Sequence, residues 1–216
     1  MTQAQVYSIG VPGKAWGADE RASWLAHQQI KRQYQDDVLA QLEPLKSHFN
    51  IEQYGALPCD PDRYPLIGVR TRQWDSAKPT ALITGGVHGY ETSGVHGALR
   101  FLETQAQRYA NRFNVVVAPC VSPWAYETIN RWNPAAVDPN RSFVPDSPAP
   151  EAASLMRYMA TLQVDIAVHI DLHETTDTDN SEFRPALAAR DNVEDEYSEI
   201  PDGFYLVGDE LNPAAE

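Results

Sequence analysis

His88 and Glu91 lie three residues apart on a turn between two regular elements, and their spacing allows both side chains to converge on one cation. Residues 81–83 form a short apolar run before Gly85-Gly86, as in a buried strand of a parallel sheet. From Thr92 onward, apolar residues recur at helical spacing. The pair therefore lies where a strand leads into a helix, which is where open α/β sheets bind ligands. A neutral imidazole with a carboxylate suits zinc.

A second histidine comes at the end of another predicted strand, residues 166–173. This segment reads Ile-Ala-Val-His-Ile-Asp-Leu-His, so Asp171 and His173 share the face opposite its apolar side chains. A strand that ends in this way delivers His173 to the same edge of the sheet as His88. Together with Glu91, the two histidines would give zinc three protein ligands and leave a fourth position for water, as in catalytic sites. The alternative is a pair of hydrogen-bonded core histidines.

A polar loop, Asp138-Pro139-Asn140-Arg141, lies between these two segments. In order along the chain, His88-Gly89-Tyr90-Glu91, this loop and Asp171-Leu172-His173 resemble the motifs of the zinc carboxypeptidase superfamily. That superfamily also contains the succinylglutamate desuccinylase and aspartoacylase enzymes. The resemblance covers about residues 65–175. It implies a zinc-dependent hydrolase in which a metal-activated water cleaves an amide bond next to a free carboxylate.

The resemblance also implies roles for the polar residues around the metal. Asp138 corresponds to the carboxylate that accepts a hydrogen bond from a ligand histidine and fixes its ring. Asp171 competes for that role because strand alternation places it on the face of the predicted ligand. Asn140 and Arg141 correspond to the clamp for a substrate carboxylate, although Arg141 could instead form a structural salt bridge. Arg131 resembles the arginine that stabilises the oxyanion.

Three functions compete at this point. The leading one is a metallocarboxypeptidase-like enzyme acting on peptides. The second is an N-acyl amino acid deacylase of the desuccinylase or aspartoacylase type, and the third is a non-catalytic carboxylate-binding module. No Gly-x-Ser-x-Gly elbow is present, which argues against a serine hydrolase.

The general base is the part of the family pattern that we do not find. The family uses a glutamate from a late strand, and no segment after His173 matches that motif. Glu174, Glu182, Glu199 and Glu210 are candidates without supporting context. We therefore expect one zinc carboxypeptidase-like domain that lacks its C-terminal part.

The net charge of −13 argues against nucleic acid as a partner, because no basic face is available to neutralise phosphates. We also find no apolar run of membrane-spanning length and no secretory signal, and Cys59 and Cys120 fit a reducing compartment. We therefore expect a cytoplasmic protein without a membrane partner. Asp177 and Asp179, in an acidic stretch, suggest a second metal site, but a solvated loop is the favoured interpretation.

The pattern of elements predicts an α/β fold: a mixed, largely parallel sheet sandwiched by helices, in a single domain over residues 1–216. We expect a long amphipathic helix over residues 21–42 and an antiparallel hairpin formed by residues 50–56 and 64–71. A helix over residues 150–162 makes the crossover to the His173 strand. Residues 204–207 are interpreted as one further strand.

Overall fold

The computed structural model describes residues 7–195, 199–201 and 203–208. Five strands form one sheet in the order β1-β2-β4-β3-β5. The strands are β1 Phe49–Ala56, β2 Pro65–Thr71, β3 Thr80–Gly85, β4 Asn114–Ala118 and β5 Ile166–Leu172. β2 pairs antiparallel with both β1 and β4, whereas β3 runs parallel to β4 and β5. The predicted hairpin is confirmed, and the sheet is mixed as expected.

Seven α-helices accompany the sheet within the described residues. They are α1 Ala18–Ala26, α2 Ala40–Leu42, α3 Thr92–Thr104, α4 Ala106–Tyr109, α5 Pro123–Thr128, α6 Pro150–Leu162 and α7 Arg184–Asp191. Two π-helical turns (Gln35–Leu39 and Asp179–Phe183) and two 3₁₀ turns (Glu43–Ser47 and Pro139–Arg141) lie between some of them within the described residues. The predicted crossover helix over residues 150–162 is therefore confirmed as α6.

Helices cover both faces of the central strands, because these strands are apolar on both sides. Every residue of β4 is buried. Alternate side chains of β3 and β4 pack with α3 in the larger apolar cluster, which includes Ile83, Val115 and Val117. The intervening side chains pack with α6 in a second cluster, which includes Leu82 and Val116. This gives the predicted helix–sheet–helix sandwich.

β5 lies at the edge of the sheet and pairs only with β3 among the described residues. Three of its apolar side chains are more than two-fifths exposed: Ile166 at 42%, Val168 at 41% and Ile170 at 49%. Within the described part of the chain, this strand therefore has an open flank, with one backbone edge unpaired and its apolar side chains partly exposed, in contrast to β4.

The prediction of one helix over residues 21–42 is wrong. α1 ends at Ala26, and helical structure resumes only at the turn Gln35–Leu39. The segment between them is held instead by Glu127 of α5, whose backbone carbonyl accepts hydrogen bonds from the N–H groups of Lys31 and Arg32. Its carboxylate also accepts one from the N–H of Tyr34, at 2.8 Å. A tertiary contact thus replaces the hydrogen bonds of a continuous helix.

The predicted strand over residues 204–207 is also wrong, because the described part of this segment has no strand structure. Its side chains are largely exposed, and the hydroxyl of Tyr205 lies 2.7 Å from that of Thr175. In the part of the chain that the structure describes, none of the helices has both the length and the apolar character needed to cross a bilayer.

Candidate metal centre and active site

The parallel pairing of β3 and β5 brings the candidate ligands together. Gly85, the last residue of β3, lies opposite Leu172, the last residue of β5. The loop that carries His88 and Glu91 starts directly after the first strand, and His173 follows the second. Because the carboxyl ends of parallel strands meet at one edge of the sheet, residues far apart in sequence become neighbours here.

The side chains of His88, Glu91 and His173 form one compact cluster. The Nδ1 atom of His88 lies 2.8 Å from Oε1 of Glu91, and the Nδ1 atom of His173 lies 2.7 Å from Oε2 of the same carboxylate. One potential ligand atom from each residue lies within 4.8 Å of the others. Two imidazoles and one carboxylate are the donor set of a catalytic zinc site with an open fourth position. The residues present therefore fit a divalent ion of this kind.

A carboxylate holds the outer nitrogen of each histidine. The Nε2 atom of His88 lies 3.0 Å from Oδ1 of Asp138, and the Nε2 atom of His173 lies 2.7 Å from Oδ2 of Asp171. From the sequence, the two aspartates are alternatives for one role, and the resemblance favours Asp138. In the structure each aspartate contacts a different histidine. Both contacts direct Nδ1 toward Glu91, which is the orientation a metal ligand requires.

The charges in the cluster stabilise one another. Burial alone would raise the pKa of Glu91, but hydrogen bonds from His173 and His88 lower it below its ordinary value. Burial would likewise raise the pKa of Asp138, but His88 and Arg131 hold it well below its usual range. Burial would lower the pKa of His173, whereas its hydrogen bonds to Asp171 and Glu91 raise it to about 10. The carboxylates therefore remain ionised at neutral pH and stabilise a proton on His173, which a divalent ion would displace on binding.

Close backbone packing fixes the loop between β3 and α3. Gly89 lies so near the backbone of Ala125 and Tyr126 in α5 that a Cβ atom would overlap both. The next residue, Tyr90, donates its backbone N–H to the carbonyl of Asn130 at 3.0 Å. The second position of the His-Gly-Tyr-Glu motif therefore requires glycine, since only a hydrogen atom fits there.

Arg131 reaches the edge of this cluster. Its Nε donates to Oδ2 of Asp138 at 3.3 Å, and its Nη1 lies 3.4 Å from both Oδ1 of Asp179 and the hydroxyl of Tyr90. The carboxylate of Asp138 therefore connects this arginine to His88. The position next to the candidate metal centre suits the oxyanion role expected from the resemblance.

Asn140 and Arg141 lie on the 3₁₀ turn Pro139–Arg141, directly after Asp138. The backbone N–H of Asn140 donates to Oδ1 of Asp138 at 2.9 Å, so this turn helps to position the aspartate. Arg141 is exposed and lines a cavity of about 540 Å³. Its guanidinium is therefore accessible to an anion that enters the cavity, as the predicted carboxylate clamp requires.

The cavity is rich in arginine, although the chain as a whole carries a net charge of −13. Five arginines and three aspartates are among its lining residues: Arg21, Arg131, Arg141, Arg184, Arg190, Asp138, Asp179 and Asp191. Three of these eight, Arg131, Arg141 and Asp138, are site residues expected from the resemblance, and Asp179 was suggested only for a second metal site. Arg21 and Arg190 both donate to the backbone carbonyl of Ala136. These hydrogen bonds join distant segments of the chain, and no local motif predicts them.

The remaining candidates have other positions. The carboxylate of Glu174 accepts hydrogen bonds from the N–H and hydroxyl of Ser93 at the start of α3, both at 2.9 Å. Glu182 and Glu199 are exposed, and Glu210 lies outside the described residues. None of the three described glutamates is therefore assigned as the expected general base.

The two aspartates suggested as a second metal site do not form one among the residues that the structure describes, where the only cluster with metal-ligand spacing is that of His88, Glu91 and His173. Asp177 is exposed, and Asp179 is buried against Tyr90. The favoured interpretation of both aspartates as part of a solvated loop agrees with the position of Asp177 but is wrong for Asp179.

One known protein family matches the part of the chain that contains this site. Among protein-family models, the succinylglutamate desuccinylase/aspartoacylase catalytic domain matches residues 77–199, which is more than half of the chain and includes all three motifs. No curated protein matches the chain at a significant level.

Several solved structures are similar in fold. A proposed metallopeptidase from Shewanella amazonensis has a TM-score of 0.54 and 24% identity, with 72% of this chain and 55% of that chain covered. One from Shewanella denitrificans has a TM-score of 0.54 and 20% identity, with coverage of 81% and 62%. A metallo-carboxypeptidase from Pseudomonas aeruginosa, solved with (2-guanidinoethylmercapto)succinic acid, has a TM-score of 0.51 and 17% identity, with coverage of 65% and 39%. The matched part of each is less than two-thirds of that structure's length.

Proposed function

The chain belongs to the succinylglutamate desuccinylase/aspartoacylase catalytic domain family, and from this membership and the site geometry we propose that it is a zinc-dependent hydrolase. The proposed reaction is hydrolysis of an amide bond next to a free carboxylate. The observation that carries the proposal is the convergence of His88, Glu91 and His173, with Nδ1 of each histidine within 2.8 Å of an oxygen of Glu91.

Each residue of the site has a role in this proposal. A divalent ion held by His88, Glu91 and His173 would supply a water molecule with a pKa brought down to about 7. Asp138 and Asp171 orient the two imidazoles and keep them from rotating out of the site. These contacts fix the donor atoms before substrate arrives.

Two arginines would act on the substrate. Arg141, exposed in the cavity, would pair with the free carboxylate and place the scissile amide near the cluster. Arg131, held beside Asp138, would stabilise the negative charge that develops on the carbonyl oxygen. Because the guanidinium is already held in place, the site needs little reorganisation when this negative charge appears.

Two substrate classes fit this chemistry. The sequence favours a peptide with a free C-terminal carboxylate, and the family match favours an N-acyl amino acid. The succinic acid derivative bound to the Pseudomonas aeruginosa metallo-carboxypeptidase supports a carboxylate-bearing substrate in either case. We therefore propose a carboxylate beside the scissile amide as the common requirement.

An assay with both substrate classes tests the proposal. The zinc-loaded protein is incubated with short peptides and with N-succinyl and N-acetyl amino acids, with and without a chelator. Chelator-sensitive release of C-terminal residues identifies a carboxypeptidase, and release of the acyl group identifies a deacylase. Binding of these compounds without turnover, in a longer protein that contains this domain as well, would instead identify a carboxylate-binding module.

A further inference from the structure

Asp179 lies six residues after His173 and is almost completely buried, with a relative exposure of 6%. Its carboxylate has several partners. It accepts a hydrogen bond from the hydroxyl of Tyr90 at 2.9 Å, and its Oδ2 accepts one from the backbone N–H of Thr176 at 3.0 Å. Its Oδ1 lies 3.4 Å from Nη1 of Arg131. A buried carboxylate with these contacts connects the segment after β5 to the candidate active site.

Tyr90 is the second member of this group. It lies between the two candidate ligands His88 and Glu91 in sequence, and its side chain is buried. Its ring stacks near that of His88, with centroids 6.1 Å apart, and contacts the ring of Phe183 at 4.5 Å. The tyrosine therefore joins the ligand loop to the π-helical turn Asp179–Phe183. Its hydroxyl contacts both Asp179 and Arg131.

Arg131 is consequently held between two carboxylates. Nε contacts Asp138 at 3.3 Å, and Nη1 contacts Asp179 at 3.4 Å. In the contacts among the described residues, the Nη2 group has no partner, and the guanidinium lines the cavity. An arginine has five N–H donors in a rigid fork, so fixing one side of the fork sets the direction of the other.

We propose that Asp179 is a positioning residue that acts through Arg131, with Tyr90 as the hydrogen-bond donor that holds its carboxylate in place. This inference rests on the proposed function, because it assigns a purpose to the fixed arginine. Loss of the Asp179 contact lets the guanidinium sample other rotamers, so its Nη2 group meets the developing oxyanion less often. A misplacement of about 1 Å in such a group costs about a hundredfold in rate.

The test combines kinetics with an activity-independent measurement on Arg131 itself. In the zinc-loaded protein, Asp179→Asn keeps the size of the side chain but removes its charge. We expect kcat to fall about tenfold to a hundredfold, with KM changed less than threefold and zinc content unchanged. Tyr90→Phe should produce a smaller fall in the same direction. The control, Asp177→Asn, changes an exposed aspartate two residues away and should leave all three quantities unchanged.

A double variant separates positioning from a general structural defect. If Asp179 acts through Arg131, Asp179→Asn should reduce the rate no further once Arg131→Ala is present. If it supports the fold independently, the two losses should multiply, and that result would overturn the proposal.

NMR of arginine-labelled protein makes the inference testable without turnover. In the wild type we expect slow rotation of the Arg131 guanidinium and separate Nη signals, and in Asp179→Asn faster rotation and averaged signals. Unchanged signals in the variant would refute the positioning role. Averaged signals in Asp179→Asn would uphold the positioning role even if the wild-type protein, and a longer protein that contains this domain, were inactive; that inactivity would instead contradict the proposed hydrolase function.

Discussion

Gly94 in the first turns of α3 packs directly against the carbonyl oxygen of Leu172 at the end of β5. The contact holds the helix that follows Glu91 against the strand that precedes His173. It leaves no room for a side chain, because even a Cβ atom on residue 94 would overlap the carbonyl. The distance between two candidate ligands is therefore set partly by a residue that has no side chain of its own.

The first prediction follows from this contact. Gly94→Ala should push α3 away from β5 and lower the free energy of unfolding by about 1–3 kcal/mol, the usual cost of overpacking, despite the better helix propensity of alanine. It should also weaken metal binding, because Glu91 and His173 move apart. Chemical denaturation and metal titration check both effects. Gly13→Ala is a poor control because its φ is +85°, whereas Gly97→Ala should be tolerated, because a Cβ atom there would make only an ordinary van der Waals contact with the side chain of Leu172.

The second prediction concerns the metal itself. Wild-type protein loaded with zinc and then dialysed should retain close to one ion per chain, whereas His88→Ala, Glu91→Ala and His173→Ala should each lose most of it, because two remaining ligands bind zinc weakly. Elemental analysis measures the stoichiometry. His48→Ala, which removes an exposed histidine, is the matched control. Full retention of zinc by all three ligand variants would remove the basis of the proposed function.

The third prediction separates the two supporting aspartates. Asp138→Asn and Asp171→Asn should each weaken zinc affinity about tenfold to a hundredfold, since each leaves one imidazole without its carboxylate partner. Competition with a chromophoric chelator measures the affinities. Asp138→Asn should also reduce kcat, because the same carboxylate contacts Arg131. Equal kinetic effects of the two substitutions would argue against this additional role.

The fourth prediction concerns Glu151, a buried residue in the first turn of α6 whose contacts with its own backbone and with the side chain of Asn133 only partly offset its burial. Burial raises the pKa of this carboxyl from 4.5 to about 7. The folded state therefore binds the proton more tightly than the unfolded state, and stability falls as the pH rises from about 4.5 to about 7. A shift of this size corresponds to about 3 kcal/mol.

Glu151→Gln should remove this pH dependence. Relative to the variant, the wild type should lose about 2–3 kcal/mol of unfolding free energy between pH 5 and pH 8. Urea denaturation at the two pH values measures the difference. Glu103→Gln, at an exposed glutamate, should follow the wild-type curve. Parallel curves for wild type and Glu151→Gln would show that this carboxyl titrates normally.

The parts of the fold that sequence could predict are those with a local signal. The antiparallel hairpin of β1 and β2, the turn at His88 and the regular spacing in α6 each specify their own element. The break after Ala26 could not be predicted, because it depends on Glu127, a residue about one hundred positions away. The backbone carbonyl of Glu127 accepts a hydrogen bond from the backbone N–H of Arg32. Local periodicity contains no information about such a contact.

The same distinction holds at the candidate site. The motifs located His88, Glu91 and His173, and the structure brings these side chains together; that they bind zinc stays a prediction. Alternation along β5 identified Asp171 as a possible partner of a histidine, but sequence could not show that both aspartates are used. Asp179 was noticed only for its charge, because its link to Arg131 depends on how the segment after β5 folds back over Tyr90.

The open flank of β5 has a practical consequence for every experiment on this chain. Its backbone donors and acceptors on that side, with Ile166, Val168 and Ile170 beside them, can template pairing between molecules as concentration rises. Self-association there would place a second molecule a few residues from His173. Rates and metal affinities should therefore be measured in dilute samples checked for light scattering. In concentrated samples, self-association along β5 would alter both quantities.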